Sequence, residues 1–159
     1  MSKEYIRNWF SNMELFDSPL IADGIAYNSV ENYYQAMKLF PEDFEGRKYI
    51  ASLSPRKSKT EIRKMKIREL CPVQKIEIMN FALKHKFDHH TSWGKILMEK
   101  EDEVLVEYNN WGDVFWGYDV EKNEGKNYLG LLLTARRSEL LLEKIFYEAR
   151  DKVSFTCKA

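Results

Sequence analysis

Hydrophobic and polar positions follow two different periods along this chain. Across residues 5–28, short apolar groups are separated by turn formers, notably Asp17-Ser18-Pro19 and Asp23-Gly24. This pattern predicts a short strand or two, around Tyr5–Phe10 and Gly24–Tyr27. From Val30 the period lengthens: Val30, Tyr34 and Met37 fall at i, i+4 and i+7, an apolar stripe suited to a core. Glu31, Gln35 and Lys38 repeat the spacing on a polar face. Ser29 suits the N-cap, because its hydroxyl can accept from an orphaned backbone N–H one turn on. The helix then runs to about Leu39, where Phe40-Pro41 stops it. Glu31 falls in its first turn, where the helix dipole favours a negative charge. By local pattern alone this is equally an ordinary amphipathic surface helix.

The same reading places a helix near Phe44–Ser52. Another is started by Ser54-Pro55, an N-cap with Pro at the first helical position, and is expected through about Ile67. Cys71-Pro72 opens a further helix, with Val73, Ile76, Met79, Leu83 and Phe87 at helical spacing. Trp93, Ile96 and Leu97 mark a short one. Val104-Leu105-Val106 reads as strand or extended chain. Residues 109–127 show little periodicity but carry Gly112, Gly117 and Gly125 with Trp111, Phe115, Trp116 and Tyr118. Irregular segments of this length are functional or disordered, and the aromatics argue against disorder. Asn127 is expected to cap a long helix carrying Leu129, Leu132, Leu133, Leu140 and Leu141. The expected fold is mainly α with a small β component, a single compact domain over residues 1–150 followed by a tail at 151–159.

Composition adds bounds. A chain of 159 residues, 44% apolar and 31% charged, can bury a real core and is not of disordered composition. Lys+Arg and Asp+Glu balance at 25 each, so no global field steers the protein to nucleic acid or membrane. Two cysteines, Cys71 and Cys157, are too few for a disulfide framework and fit a reducing, cytoplasmic setting. The N-terminus lacks the apolar core of a signal peptide, and the apolar run from Leu129 to Leu133 is far short of a membrane span.

Three constellations could carry chemistry. Glu31 and Asp113 supply two carboxylates, as hydrolysis of an N-glycosidic bond requires: one to activate water, one to lie against positive charge developing on the sugar. Alternatively each caps or salt-bridges at the surface. The segment from Ser54 to Arg68 is strongly basic, and Lys59 and Arg63, at i and i+4, could grip a phosphate or pyrophosphate. Its alternative is a solvated charged face. Trp116 and Tyr118 in the aromatic loop could stack on a flat base, or simply pack the loop down. Gly125-Lys126-Asn127-Tyr128-Leu129-Gly130 could offer helix N–H groups to an anion but lacks the ending of a P-loop. His85 and His89 lack the accompanying Glu of a zinc helix, and Cys71 has no evident histidine partner, so no metal, cofactor or thiol chemistry is expected.

In their order and spacing these stretches resemble the NADAR family, the NAD- and ADP-ribose-associated domains. The resemblance runs from about Phe10 to Leu141. It is carried by Phe10-Ser11-Asn12, Ser18-Pro19, Ser29-Val30-Glu31-Asn32-Tyr33-Tyr34-Gln35-Ala36, Ser54-Pro55 with Lys59 and Arg63, and Ala82-Leu83-Lys84-His85-Lys86-Phe87. It continues in Leu105-Val106-Glu107, Asp113 with Trp116-Gly117, and Gly125-Lys126-Asn127 with Leu129-Gly130 and Arg137. It implies a compact, mainly α domain that cleaves ribosyl C–N bonds, either in phosphoribosylamino-pyrimidine intermediates of riboflavin synthesis or in ADP-ribose joined to guanine in nucleic acid. By position, Glu31 matches the essential family glutamate and Asp113 and Trp116 the acidic and aromatic members of the late loop. Lys59 and Arg63 match the basic helix, and Asn127 and Gly130 the last motif.

The chain also departs from the pattern. Cys71 stands where at least one family N-glycosidase has Trp, which bears on the identity of the base more than on hydrolysis. Ile62 replaces a usual Gly, and Tyr118 a small or acidic residue. The resulting expectation is a metal-independent, cofactor-free N-glycosidase with Glu31 and Asp113 catalytic. Asn12, Lys59, Arg63, Trp116, Tyr118, Asn127 and Gly130 would bind a small nucleotide or ADP-ribosylated nucleic acid. A non-catalytic ADP-ribose or NAD-binding module is the alternative.

Overall fold

The computed structural model describes residues 10–100 and 102–156, so most of the expected Tyr5–Phe10 strand and Cys157 lie outside the described residues. The chain forms two compact units, Met1–Lys86 and Phe87–Ala159.

The first unit opens with an antiparallel hairpin of β1 (Leu15–Ala22) and β2 (Ile25–Ser29). Asp23 and Gly24 join them with positive φ values of 51° and 72°, the backbone of the two-residue turn whose twist matches paired strands. The expected strand at Gly24–Tyr27 is therefore present. β1 was not foreseen, because Asp17-Ser18-Pro19 reads as a turn. Those residues lie where the register shifts between Leu15 and Leu20, a bulge within the strand. β2 alternates buried Ile25, Tyr27 and Ser29 with exposed Ala26 and Asn28, placing one face in the core.

Helix α1 (Val30–Ala36) follows directly, with Ser29 as N-cap. It stops at Ala36, earlier than Leu39. Arg68 donates to the Met37 carbonyl from both Nε and Nη2, at 3.2 and 3.0 Å, and the Arg68 N–H donates to the Lys38 carbonyl at 2.9 Å, so other chain takes up the acceptors here. α2 (Phe44–Ser52) occupies its expected span. α3 (Pro55–Glu61) is capped by Ser54 and tightens into a 3-10 turn, Ile62–Lys64, ending short of Ile67. α4 (Pro72–Lys86) completes the unit. α1 packs against β2, α2, α3 and α4 and is buried over its whole length. The surface-helix alternative for this segment is thereby excluded: its polar face is as buried as its apolar one.

The second unit contains α5 (Ser92–Met98), packed on α6 (Tyr128–Thr156), a helix that runs on through Arg150. Leu97, Leu105, Leu129, Leu133 and Leu140 form its core. Val104-Leu105-Val106 belongs to no helix or strand. The paired strands are two-residue β3 (Tyr108–Asn109) and β4 (Tyr118–Asp119), joined in parallel. The architecture is mainly helical with small sheets. Among the described residues no helix is long and apolar enough to cross a membrane.

Candidate active site

The first unit presents Glu31 on a rigid element. The Ser29 hydroxyl accepts from the Asn32 N–H at 3.0 Å and donates to Asn32 Oδ1 at 2.6 Å, closing the helix start. The Asn32 side-chain amide donates to the carbonyls of Ile50 and Leu53 at 3.0 and 2.9 Å, tying α1 to the end of α2. The Glu31 N–H donates to the Asn12 carbonyl at 2.9 Å. Main chain and caps therefore fix where the Glu31 carboxylate begins.

Glu31 is 6% exposed, and its Oε1 accepts from Gln35 Nε2 at 2.7 Å. One turn further, Lys38 lies over the Tyr34 ring at 4.9 Å. Burial lowers the Lys38 pKa. Glu31 opposes that shift, while Lys59, Lys75 and Arg63 add to it by charge repulsion. Lys38 thus feels one carboxylate and three further cations, from α1, α3, the 3-10 turn and α4 of a single unit. Lys59 and Arg63 are exposed, so they are open to a ligand. Neutralising such a cluster calls for a polyanion, and a phosphate is the natural one.

Asn12 belongs to this unit too. Its Nδ2 contacts the Met79 sulfur at 3.6 Å, and its Oδ1 is buried without a partner among the described residues. Gln35 and Lys38 were visible in sequence only as the polar face shared with Glu31. Lys75, in the first turn of α4, gave no signal. Cys71 is exposed, its N–H donating to Gln74 Oε1 at 3.0 Å. His85 is structural in its contacts, bonded to the Ser18 carbonyl at 2.8 Å and edge-on to Phe16.

Asp113, Trp116, Tyr118, Asn127 and Gly130 lie in the second unit. Asp113 Oδ1 accepts from the N–H groups of Phe115 and Trp116 at 3.1 and 2.9 Å, organising its own turn. Buried Asn109 bonds the Asp113 main chain from both ends of its amide. Asp119 accepts from the N–H groups of Lys122, Gly112 and Glu121, which hold its carboxyl below the usual range. Asn109 and Asp119, neither of them anticipated, keep this aromatic loop in one conformation. Trp116 stands edge-on to Phe115, and Tyr118 is edge-on to Tyr108 with its hydroxyl donating to Asn123 at 2.7 Å.

The start of α6 differs from expectation. Asn127 has a left-handed φ of 51°, and its amide bonds the Glu107 N–H and the Leu105 carbonyl rather than capping its own helix. The N–H groups of Lys126, Asn127, Tyr128 and Leu129 donate to the carbonyls of Val114, Gly117, Phe115 and Trp116. The helix start is therefore closed by the aromatic loop and offers those N–H groups to no anion. A Cβ at Gly130 would collide with the Leu105 carbonyl, so glycine is required there for close packing. Among the described residues no three His, Cys, Asp or Glu side chains converge as metal ligands would.

A mainly helical fold with a buried, capped glutamate, a cation cluster and a braced aromatic loop is that of a known class. The chain belongs to the NADAR domain family, whose model matches residues 2–141. It is 31% identical over 136 residues to the N-glycosidase YbiA of Escherichia coli, covering 85% of this chain and 82% of that one. The riboflavin biosynthesis protein PYRR of Zea mays is 33% identical over 130 residues, covering 75% of this chain but 20% of that longer protein. The NMR structure of E. coli YbiA superposes with a TM-score of 0.72 at 30% identity, over 91% of this chain and 84% of that one.

Proposed function

We propose that this protein is an N-glycosidase that hydrolyses the C–N bond between a phosphorylated ribose and a nitrogenous base. The observation carrying this reading is the buried, capped Glu31 on α1, two turns before Lys38, whose own pKa responds to the charges of Glu31, Lys59, Lys75 and Arg63. Glu31 acts as general base, removing a proton from water as it attacks the anomeric carbon. The exposed Lys59 and Arg63, together with Lys38 and Lys75, bind the phosphate. In the late loop, Asp113 and Trp116 are assigned to substrate contact. Asn127 and Gly130, occupied by packing, are assigned to the scaffold.

For the substrate, a small phosphoribosylamino-pyrimidine is favoured, since the names of relatives include an N-glycosidase and a riboflavin biosynthesis protein. ADP-ribose on guanine in nucleic acid is the second reading. The exposed cations Arg56, Lys57, Lys59 and Arg63 favour it, because they suit a phosphate backbone. The test is to offer both substrates side by side and follow the released base or ADP-ribose. Glu31→Gln should fold normally and lose about 10²–10⁴-fold in kcat, the worth of a general base. Wild-type turnover by that variant would refute the assignment. Binding of ADP-ribose or NAD with no product from either substrate would establish a non-catalytic module instead. Asp113→Asn tests the loop by itself, because its carbonyl keeps the hydrogen bonds to Phe115 and Trp116 while the charge is removed.

A further inference from the structure

Gln35 is a buried amide, 4% exposed, with no place in the reading above. Its orientation is fixed by chemistry. An ionised carboxylate only accepts hydrogen bonds, so the end of Gln35 that lies 2.7 Å from Glu31 Oε1 must be the NH₂. The other end, the carbonyl Oε1, is then left buried with no donor among the described residues. A buried acceptor without a donor costs about 1–3 kcal/mol, and such atoms in folded proteins are ordinarily met by water or ligand. Packing alone would be better served by an apolar side chain. An acceptor held beside a proposed base, both on one turn of α1, is arranged for a molecule that donates two hydrogen bonds.

We propose that Gln35 is a positioning residue for the hydrolytic water. Its NH₂ holds one oxygen of Glu31, leaving the other oxygen to take the proton, and its carbonyl accepts the water's second hydrogen. The water is thereby held at both hydrogens with a lone pair directed at the anomeric carbon. During reaction the water oxygen bonds to that carbon and one water proton passes to Glu31. The C–N bond breaks with its electron pair going to the base nitrogen, which is protonated in turn by the Glu31 carboxylic acid. The second hydrogen remains on the new anomeric hydroxyl, still bonded to Gln35. This rests on the N-glycosidase reading and on Glu31 as the base.

The test is a double-mutant cycle on whichever of the two substrates the wild type hydrolyses. Gln35→Met removes both hydrogen-bonding ends at similar length. It should lower kcat by about tenfold to a hundredfold, as loss of orientation does, with KM within about twofold. In the Glu31→Gln background the same change should cost nothing further, because a residue acting through Glu31 has nothing left to position. Gln35→Asn, too short to reach Glu31 but still polar, should show the same kcat loss and serves if Gln35→Met does not fold. Wild-type kcat in both variants, or losses that multiply in the double variant, would overturn the role of Gln35 while leaving Glu31 intact. Full turnover by Glu31→Gln alone, or no hydrolysis of either substrate by wild type, overturns the underlying reading and this inference with it.

Discussion

Lys86 and Tyr27 are polar residues that the first unit takes out of water, and each implies a measurable consequence. Lys86 is 1% exposed, and its Nζ donates to the Ser11 carbonyl at 2.8 Å. Burial lowers its pKa from 10.5 to about 7, with Glu14 opposing the shift. Below about pH 7 both folded and unfolded chains carry the proton, so the folded state bears the full cost of burying the charge. Between about 7 and 10.5 only the unfolded chain is protonated, so raising the pH favours folding. The stability of wild type relative to Lys86→Met should therefore rise with pH across that window, by at most about 1.4 kcal/mol per pH unit. Denaturant titrations of both proteins at several pH values check this; a flat difference would show that the amine stays charged in the fold. The Tyr27 hydroxyl is buried without a hydrogen-bond partner among the described residues, and burial pushes its pKa up to about 12. Tyr27→Phe removes a desolvated group that makes no bond and should be neutral or stabilise by up to about 1 kcal/mol in urea unfolding. A clear destabilisation would mean that the hydroxyl is satisfied after all.

Among the elements, α1 carries the argument, and its cap and its tie to α2 separate by mutation. Ser29→Ala removes a buried cap and should cost about 1–2 kcal/mol of stability. Asn32→Leu should cost more, about 2–4 kcal/mol, because it strands the Leu53 carbonyl, leaves the Ile50 carbonyl only its bond from the Leu53 N–H, and removes the acceptor of the Ser29 hydroxyl. Equal losses in thermal or urea unfolding would count against that tie. The start of α1 was legible because capping and helical spacing are local properties: Ser29, Val30, Tyr34 and Met37 lie within nine residues. The burial of its polar face was not, because the elements that pack on α1, namely β2, α2, α3 and α4, meet it only in the fold. The same limit explains Lys75, which stands among ordinary helix residues. β1 was missed for an opposite reason: Asp17-Ser18-Pro19 gave a true turn-like signal, but hairpin pairing on both sides absorbed it as a bulge. At α6, Asn127 correctly marked the boundary, yet long-range carbonyls rather than its own side chain close the helix start.

At the scale of the whole molecule, charge decides between the two substrates. Lys+Arg and Asp+Glu are equal in number, so long-range steering contributes little and any salt dependence reports local contacts. A small phosphoribosyl substrate brings one phosphate to the Lys38 cluster. Its kcat/KM should then fall only about twofold to threefold between about 50 and 200 mM salt. Nucleic acid laid along Arg56, Lys57, Lys59 and Arg63 would release counterions from about four phosphates. With a slope of about −0.7 to −0.9 per contact, the same fourfold rise in salt should lower binding by about 50-fold to 150-fold. Lys57→Gln sharpens the distinction. Its side chain is exposed on α3. For nucleic acid this change should remove about one contact's worth of salt slope. For the small substrate it should leave kcat/KM within about twofold at all salt concentrations. A steep slope that Lys57→Gln reduces would assign the protein to ADP-ribosylated nucleic acid; a shallow one indifferent to it would assign it to the free phosphoribosyl metabolite.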